Sequence, residues 1–134
     1  MPSASEASAN HVIKNAAEEL KKNPAVKPPE WVFSVKTGVS RERLPEQEDF
    51  WFIRCASILR SLYVHGNKGV RRLRHKYGGR KEHRVSRAHH KAGGGKIIRV
   101  AMQQLETAGL LKKEKTGGRT ITHAGIALLD KSAA

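Results

Sequence analysis

The sequence predicts a mainly α-helical, winged-helix-like single domain with a small β-hairpin wing, and three observations carry that expectation. The stretch "EDFWFIRCASILRSLYVHG", about residues 47–65, is apolar around most of its circumference, as a helix packed against several others must be. From about residue 95 a helix, a glycine-turned hairpin and a closing helix follow in that order. The 134 residues suffice for one core but not two, and no internal repeat or heptad array competes with that reading.

Taken in order, residues 1–9 are rich in Ser and Ala and are expected to be flexible. Asn10 is placed to cap a helix over about 10–22, with Val12, Ile13, Ala16, Ala17 and Leu20 inward and Asn23-Pro24 as its stop. "KPPEWVFSVKTG" reads as a short helix opened by proline and closed by Gly38, anchored by Trp31, Val32 and Val35. A polar connection, "SRERLPEQED", leads into the central helix. Its inner positions are Trp51, Phe52, Cys55, Ala56, Ile58, Leu59, Leu62 and Tyr63. Arg54 and Arg60 lie on the remaining arc, where they either pair with Asp49 or Glu48 or form a phosphate-contacting strip.

"GVRRLRHKYG", 69–78, predicts a shorter helix with Val70, Leu73 and Tyr77 inward and Arg71, Arg72, Arg74 and Lys76 outward. Residues 78–95 read as a basic, Gly-rich loop. The helix over about 95–108 carries Ile98, Ala101, Met102 and Leu105 as its core stripe and Lys96, Arg99, Gln103 and Glu106 as its outer stripe. Gly117-Gly118 turns a hairpin, and Thr122 caps a last helix bearing Ile126, Leu128 and Leu129. Residues 95–131 thus form the winged-helix-like part, with Lys96, Arg99 and Gln103 as its helix contacts and Arg119 as its wing contact.

Charge is the strongest compositional signal. There are 26 Lys and Arg against 12 Asp and Glu, a formal net of +14. The excess falls almost wholly after residue 53: residues 1–53 hold 7 basic and 8 acidic side chains, leaving 26 − 7 = 19 and 12 − 8 = 4 for residues 54–134. Such concentration favours a polyanionic partner, because neutralising phosphates releases condensed counterions. The basic segments lack the apolar stripe that a membrane-surface helix needs, and no apolar run approaches a membrane span. The N-terminus has no apolar segment of a secretory signal, and a lone cysteine suits a reducing, cytoplasmic setting.

Catalytic and cofactor readings fail on inspection. "AGGGKI" resembles a phosphate loop only superficially, since His90 stands where the first glycine belongs and Ile97 where Ser or Thr would hold magnesium. His89 and His90 are adjacent, His83 stands alone, and no CxxC exists, so neither zinc nor another metal is expected. Cys55, on an apolar helix, reads as an inert buried thiol. Neither an enzyme, a cofactor nor a small-molecule substrate is expected.

Four segments, "WVFSVKTGVSRERLPEQEDFWFIRCASILRSLY", "GVRRLRHKYGGRK", "IIRVAMQQLETAGLL" and "GGRTITHAGIALLDK", together resemble the small-subunit ribosomal protein nineteen-e family over roughly residues 29–131. The compact "VKTGVSRERLPEQED" is more similar to archaeal members than to eukaryotic ones. The resemblance implies a structural constituent of the small-subunit head that binds rRNA beside neighbouring ribosomal proteins and contributes to subunit maturation. It also implies roles for Arg54, Arg60 and Arg99, which match important basic positions of the family. The family's loop after "YGG" usually carries a proline, whereas this chain has Val85-Ser86-Arg87. Charge and resemblance together give an expected RNA-contacting set of Arg54, Arg60, Lys68, Arg71, Arg72, Arg74, Lys76, Arg80, Lys81, Arg84, Arg87, Lys91, Lys96, Arg99 and Arg119. The loop is expected to be mobile in free protein and ordered on RNA, because it has too little apolar area to offset its ordering entropy. The alternative reading is a winged-helix DNA-binding regulator.

Overall fold

The computed structural model describes residues 3–134. Five helices and two small hairpins follow one another as α1 (Ala9–Lys21), α2 (Phe50–His65), α3 (Val70–Lys76), β1 (Gly79–Lys81), β2 (His89–Lys91), α4 (Gly95–Thr107), β3 (Leu111–Lys113), β4 (Arg119–Ile121) and α5 (His123–Ala133). The expected winged-helix-like architecture is present: α4 runs into the β3–β4 wing, and α2 packs against α1, α4, α5 and β4.

The core forms where apolar positions recur at helical spacing. From α2, Trp51, Cys55, Ala56, Ile58, Leu59 and Leu62 are buried. They meet Val12, Ala16, Ala17 and Leu20 of α1 and Ile98, Ala101, Met102 and Leu105 of α4. Removing a Leu or Ile side chain of this kind from water stabilises the fold by roughly 1.5–3 kcal/mol. Trp51 also needs a partner for its indole N–H, and donates it to Gln104 Oε1 at 2.8 Å. The same amide brackets Lys27 through both backbone groups, which ties α4 to the segment after α1.

Several elements depart from the sequence expectation. From Ser3 onward the first residues have a tertiary place: Ala4 is fully buried, and its N–H donates to Asp130 at 3.2 Å. Asp130 also accepts from the Tyr63 hydroxyl at 2.9 Å, so the N-terminal turn, α2 and α5 meet at one carboxylate. Residues 1–2 lie outside the described residues. Helix α1 is preceded by Ser8 rather than capped by Asn10. The helix expected up to Gly38 is a three-residue 3-10 turn, Val32–Ser34, followed by extended backbone, and Val35 is exposed rather than an anchor.

The largest departure concerns residues 78–95, expected as a loop. They form an antiparallel hairpin in which Gly79 pairs with Lys91, Arg80 with His90 and Lys81 with His89. Glycine makes its root possible. A Cβ at Gly78 would collide with the Lys91 carbonyl oxygen and crowd Ala92 Cα. At the other side of the root, Gly93 N–H donates to Arg74 O and Gly94 N–H to Thr37 O, both at 2.7 Å. The "AGGG" run is therefore a junction where three backbone segments touch, which side chains would hold apart.

The wing follows the sequence closely. Leu111 pairs with Ile121 and Lys113 with Arg119. Gly117 and Gly118 adopt φ values of +101° and +76°, the left-handed region that glycine enters without steric cost. Thr122 opens α5 as expected, its hydroxyl accepting from Gly125 N–H at 3.4 Å.

Candidate nucleic-acid interface

The fold gathers the basic residues of α2, α3 and the first hairpin while leaving most of them without counterions. Of the expected set, only Arg119 has an ion-pair partner among the described residues. The other pairs involve Lys21, Lys22, Arg43, Lys112 and Lys131, all outside that set.

Arg54 and Arg60 are six apart on α2, about one and two-thirds turns, which sets their side chains roughly 120° apart around the helix. Neither pairs with Asp49 or Glu48, and Asp49 instead receives Lys21 at 3.6 Å. The Arg54 guanidinium lies over the Tyr77 ring, 4.2 Å from its centroid, and 5.3 Å from that of Phe50. Tyr77 is fixed in turn by a 2.6 Å hydrogen bond between its hydroxyl and that of Ser57. Burial lowers the Arg54 pKa from its ordinary value, and the positive charge of nearby Arg41 adds to the shift. A cation so placed gains from any acceptor that replaces the lost water.

A second group forms where α2 ends and α3 begins. Arg60, His65, Lys68 and Lys76 are close enough to repel one another. Lys68 is the main cause of the lowered His65 pKa, followed by burial and by Lys76 and Arg60. Burial, then Lys68 and Arg60, lowers that of Lys76. Among the described residues, the Nε–H of Arg60 is buried without a partner. Lys76 also approaches the Tyr77 ring, at 5.5 Å, so one tyrosine links this group to Arg54. Lys68, Arg71 and Arg72 line a groove of about 400 Å³ against the wing turn Thr116–Gly118.

The remaining residues divide between surface and structure. Arg80, Lys81 and Lys91 sit on β1 and β2, and Arg84 and Arg87 are exposed in the segment that joins those strands. Arg99 is exposed on the outer side of α4, while Lys96 lies 4.7 Å from the Trp31 ring centroid. Arg74 is partly committed, since its Nε–H donates to Gly93 O at 2.9 Å and braces the hairpin root. Arg119 departs from its expected place as an outward wing contact: its side chain is 13% exposed and donates to Glu106 at 3.0 Å. Its backbone also exchanges hydrogen bonds with Lys68. The outer stripe of α4 thus gives up Glu106 to hold the wing.

Sequence reasoning passed over Arg41 and His65, which adjoin the two cationic groups. No spacing signal could place Arg41 near Arg54, because the segment between them is irregular.

Cys55 is buried as expected, and burial pushes its thiol pKa up to about 12. Among the described residues, no group of three or more metal-ligating side chains is assembled, and no helix is long and apolar enough to cross a membrane.

Comparison with known proteins identifies the family. The family model described as ribosomal protein S19e matches residues 3–134. The small ribosomal subunit protein eS19 of Aeropyrum pernix is 44% identical over 135 residues, covering 99% of this chain and 88% of that protein. The protein of the same name from Haloarcula marismortui is 42% identical, covering 91% of this chain and 82% of its own length. That of Mya arenaria, a eukaryote, is 36% identical across 98% and 89%. The chain belongs to the ribosomal protein S19e family.

Proposed function

We propose that this chain is a structural, non-catalytic constituent of the small ribosomal subunit in the cytoplasm, where it binds rRNA of the subunit head and contributes to assembly. The observation that carries the reading is the run of cations without counterions from Arg54 through Tyr77 and Lys76 to Arg60 and Lys68, continued by the first hairpin. Mutual repulsion there costs free energy in the isolated protein and is relieved when phosphates arrive. Arg54, Arg60, Lys68, Arg71, Arg72, Lys76, Arg80, Lys81, Arg84, Arg87 and Lys91 form the main contact face, acting as part of one domain. Lys96 and Arg99 add a second edge on α4. Arg74 acts partly, and Arg119 chiefly, through structure.

A DNA-reading winged helix would present α4 and the wing. On that side Arg119 is neutralised by Glu106, and the larger group of cations without counterions among the described residues lies on α2, α3 and the first hairpin, which favours an RNA partner.

Sedimentation of tagged protein from lysate through sucrose gradients tests the proposal. Retention in the small-subunit peak at moderate and high salt is expected. Free protein at the top of both gradients, or nuclease-sensitive association with DNA, would overturn it.

A further inference from the structure

The segment between Lys36 and α2 folds over the N-terminal end of α2 and lines an open groove of about 540 Å³. That volume lies within the roughly 300–1,000 Å³ typical of small-ligand sites. We propose that this groove receives one unpaired, flipped-out nucleobase of the bound RNA. The inference rests on the RNA-binding reading above and specifies a different mode of contact from backbone phosphate pairing.

Three features of the groove support a heterocycle over a phosphate. The first is its apolar wall. Phe50 is half-buried along the groove, and Leu44 and Pro45 face it from the loop. Leu44 is 45% exposed, apolar surface that the isolated protein leaves in water. The second is a mixed polar edge. Arg54, Arg41 and Arg43 supply donors, Arg43 lying 3.8 Å from Glu46, while Gln47, Glu42 and Glu46 supply acceptors. A phosphate offers acceptors only and would leave the carboxylate oxygens without a donor from the ligand. A base edge presents N–H donors and ring or carbonyl acceptors together, so both sets find partners. The third is the state of Arg54: it has neither a hydrogen bond nor an ion pair within the protein among the described residues, though it is largely buried against Tyr77. The groove is its route to a ligand acceptor.

Base stacking on an aromatic side chain is sequence-tolerant and worth about 1–3 kcal/mol per base, or about 5- to 150-fold in affinity. Unstacking a bulged base costs least, so the groove selects unpaired positions.

The test uses the full chain and two probes: a stem RNA bearing one bulged 2-aminopurine, and the same stem with that residue paired. The bulged probe is expected to bind about 10-fold more tightly, within the stacking range above, and its fluorescence should be quenched. Leu44→Ser and Gln47→Ala, both at exposed positions and neither changing the charge, should abolish the advantage and the quenching while leaving affinity for the paired stem unchanged. Equal affinity of the wild-type protein for both probes would overturn the inference and leave the RNA-binding reading standing. So would a bulge preference that survives both substitutions, as a site elsewhere on the surface would give. Absence of salt-dependent binding to either probe would remove the RNA-binding reading itself, and the groove's role with it.

Discussion

The two hairpins have strands of equal length and opposite relations to the core. The β3–β4 wing is fastened along its length: Leu111 is buried, Ile121 packs on the core, and Arg119 is tied to Glu106. At its turn, Asn67 donates to Gly117 O at 3.0 Å. The β1–β2 hairpin is fastened at its root, through Gly78, Gly93 and Arg74, and by His90 of β2, whose Nε2 lies 3.1 Å from His75 O. Beyond the root, residues 82–87 are exposed, and Val85 is 98% exposed. A β-ladder alone contributes little, and a two-stranded hairpin is marginal in water without packing. The wing therefore belongs to the fold, and the first hairpin is the surface we propose for RNA contact.

The largest effect that can test this contrast is loss of core packing. Leu111→Ala should destabilise the protein by about 2–5 kcal/mol through cavity formation, whereas Val85→Ala should stay within about 0.5 kcal/mol. Thermal melting of the two variants reads the difference directly, and equal shifts would erase the distinction.

Next comes the wing's ion pair. Glu106→Ala leaves a poorly exposed guanidinium unpaired. The expected cost is about 1–2 kcal/mol, less than the roughly 3–5 kcal/mol of a fully buried pair, because the Glu106 side chain is 36% exposed. Urea titration checks it, and no change in midpoint would return Arg119 to the set of free surface contacts.

On the first hairpin the sign of the experiment reverses. Replacing Arg84 and Arg87 together by Ala should leave stability unchanged. It should also make the salt dependence of RNA binding shallower, by up to about 0.9 for each phosphate that is no longer neutralised. An unchanged slope would exclude the tip from the footprint.

The smallest effect is pH-dependent. In the folded protein the positive charge of Lys68, followed by burial, Lys76 and Arg60, holds His65 below its ordinary pKa of 6.5. Folding therefore favours neutral His65. Its contribution to stability is complete above pH 6.5 and is lost as pH falls towards the depressed folded value. His65→Gln should flatten that part of the stability–pH profile, and an identical acid limb in both proteins would contradict it. Bound phosphates should reverse the shift, so RNA binding should take up protons in this range.

These contrasts also explain what the sequence could and could not reveal. Helices α1, α2 and α4 were legible because apolar residues recur at helical spacing, and the wing because Gly117-Gly118 marks a tight turn between short strands. Cys55 followed from its place on the apolar arc of α2. The first hairpin was illegible: "GRK" and "HHK" have no alternation, and their pairing depends on backbone contacts with Thr37 and Arg74 far away in sequence. Val35 reads as an anchor by periodicity, but the helix ends before it at Ser34. At the candidate interface, composition identified the basic half of the chain. It could not separate Arg119, neutralised by Glu106, from Arg54, stacked on Tyr77 without a carboxylate, since that separation is made by tertiary contacts.

The most direct test of the central claim is backbone hydrogen exchange on the free protein and on the protein within assembled small subunits. Amides of residues 82–88 should exchange fast in the free chain and slowly in the subunit, while Leu111 and Ile121 of the wing should be protected to the same degree in both. Wing amides gaining protection on assembly, with residues 82–88 fast in both states, would contradict the assignment of structure to one hairpin and RNA contact to the other.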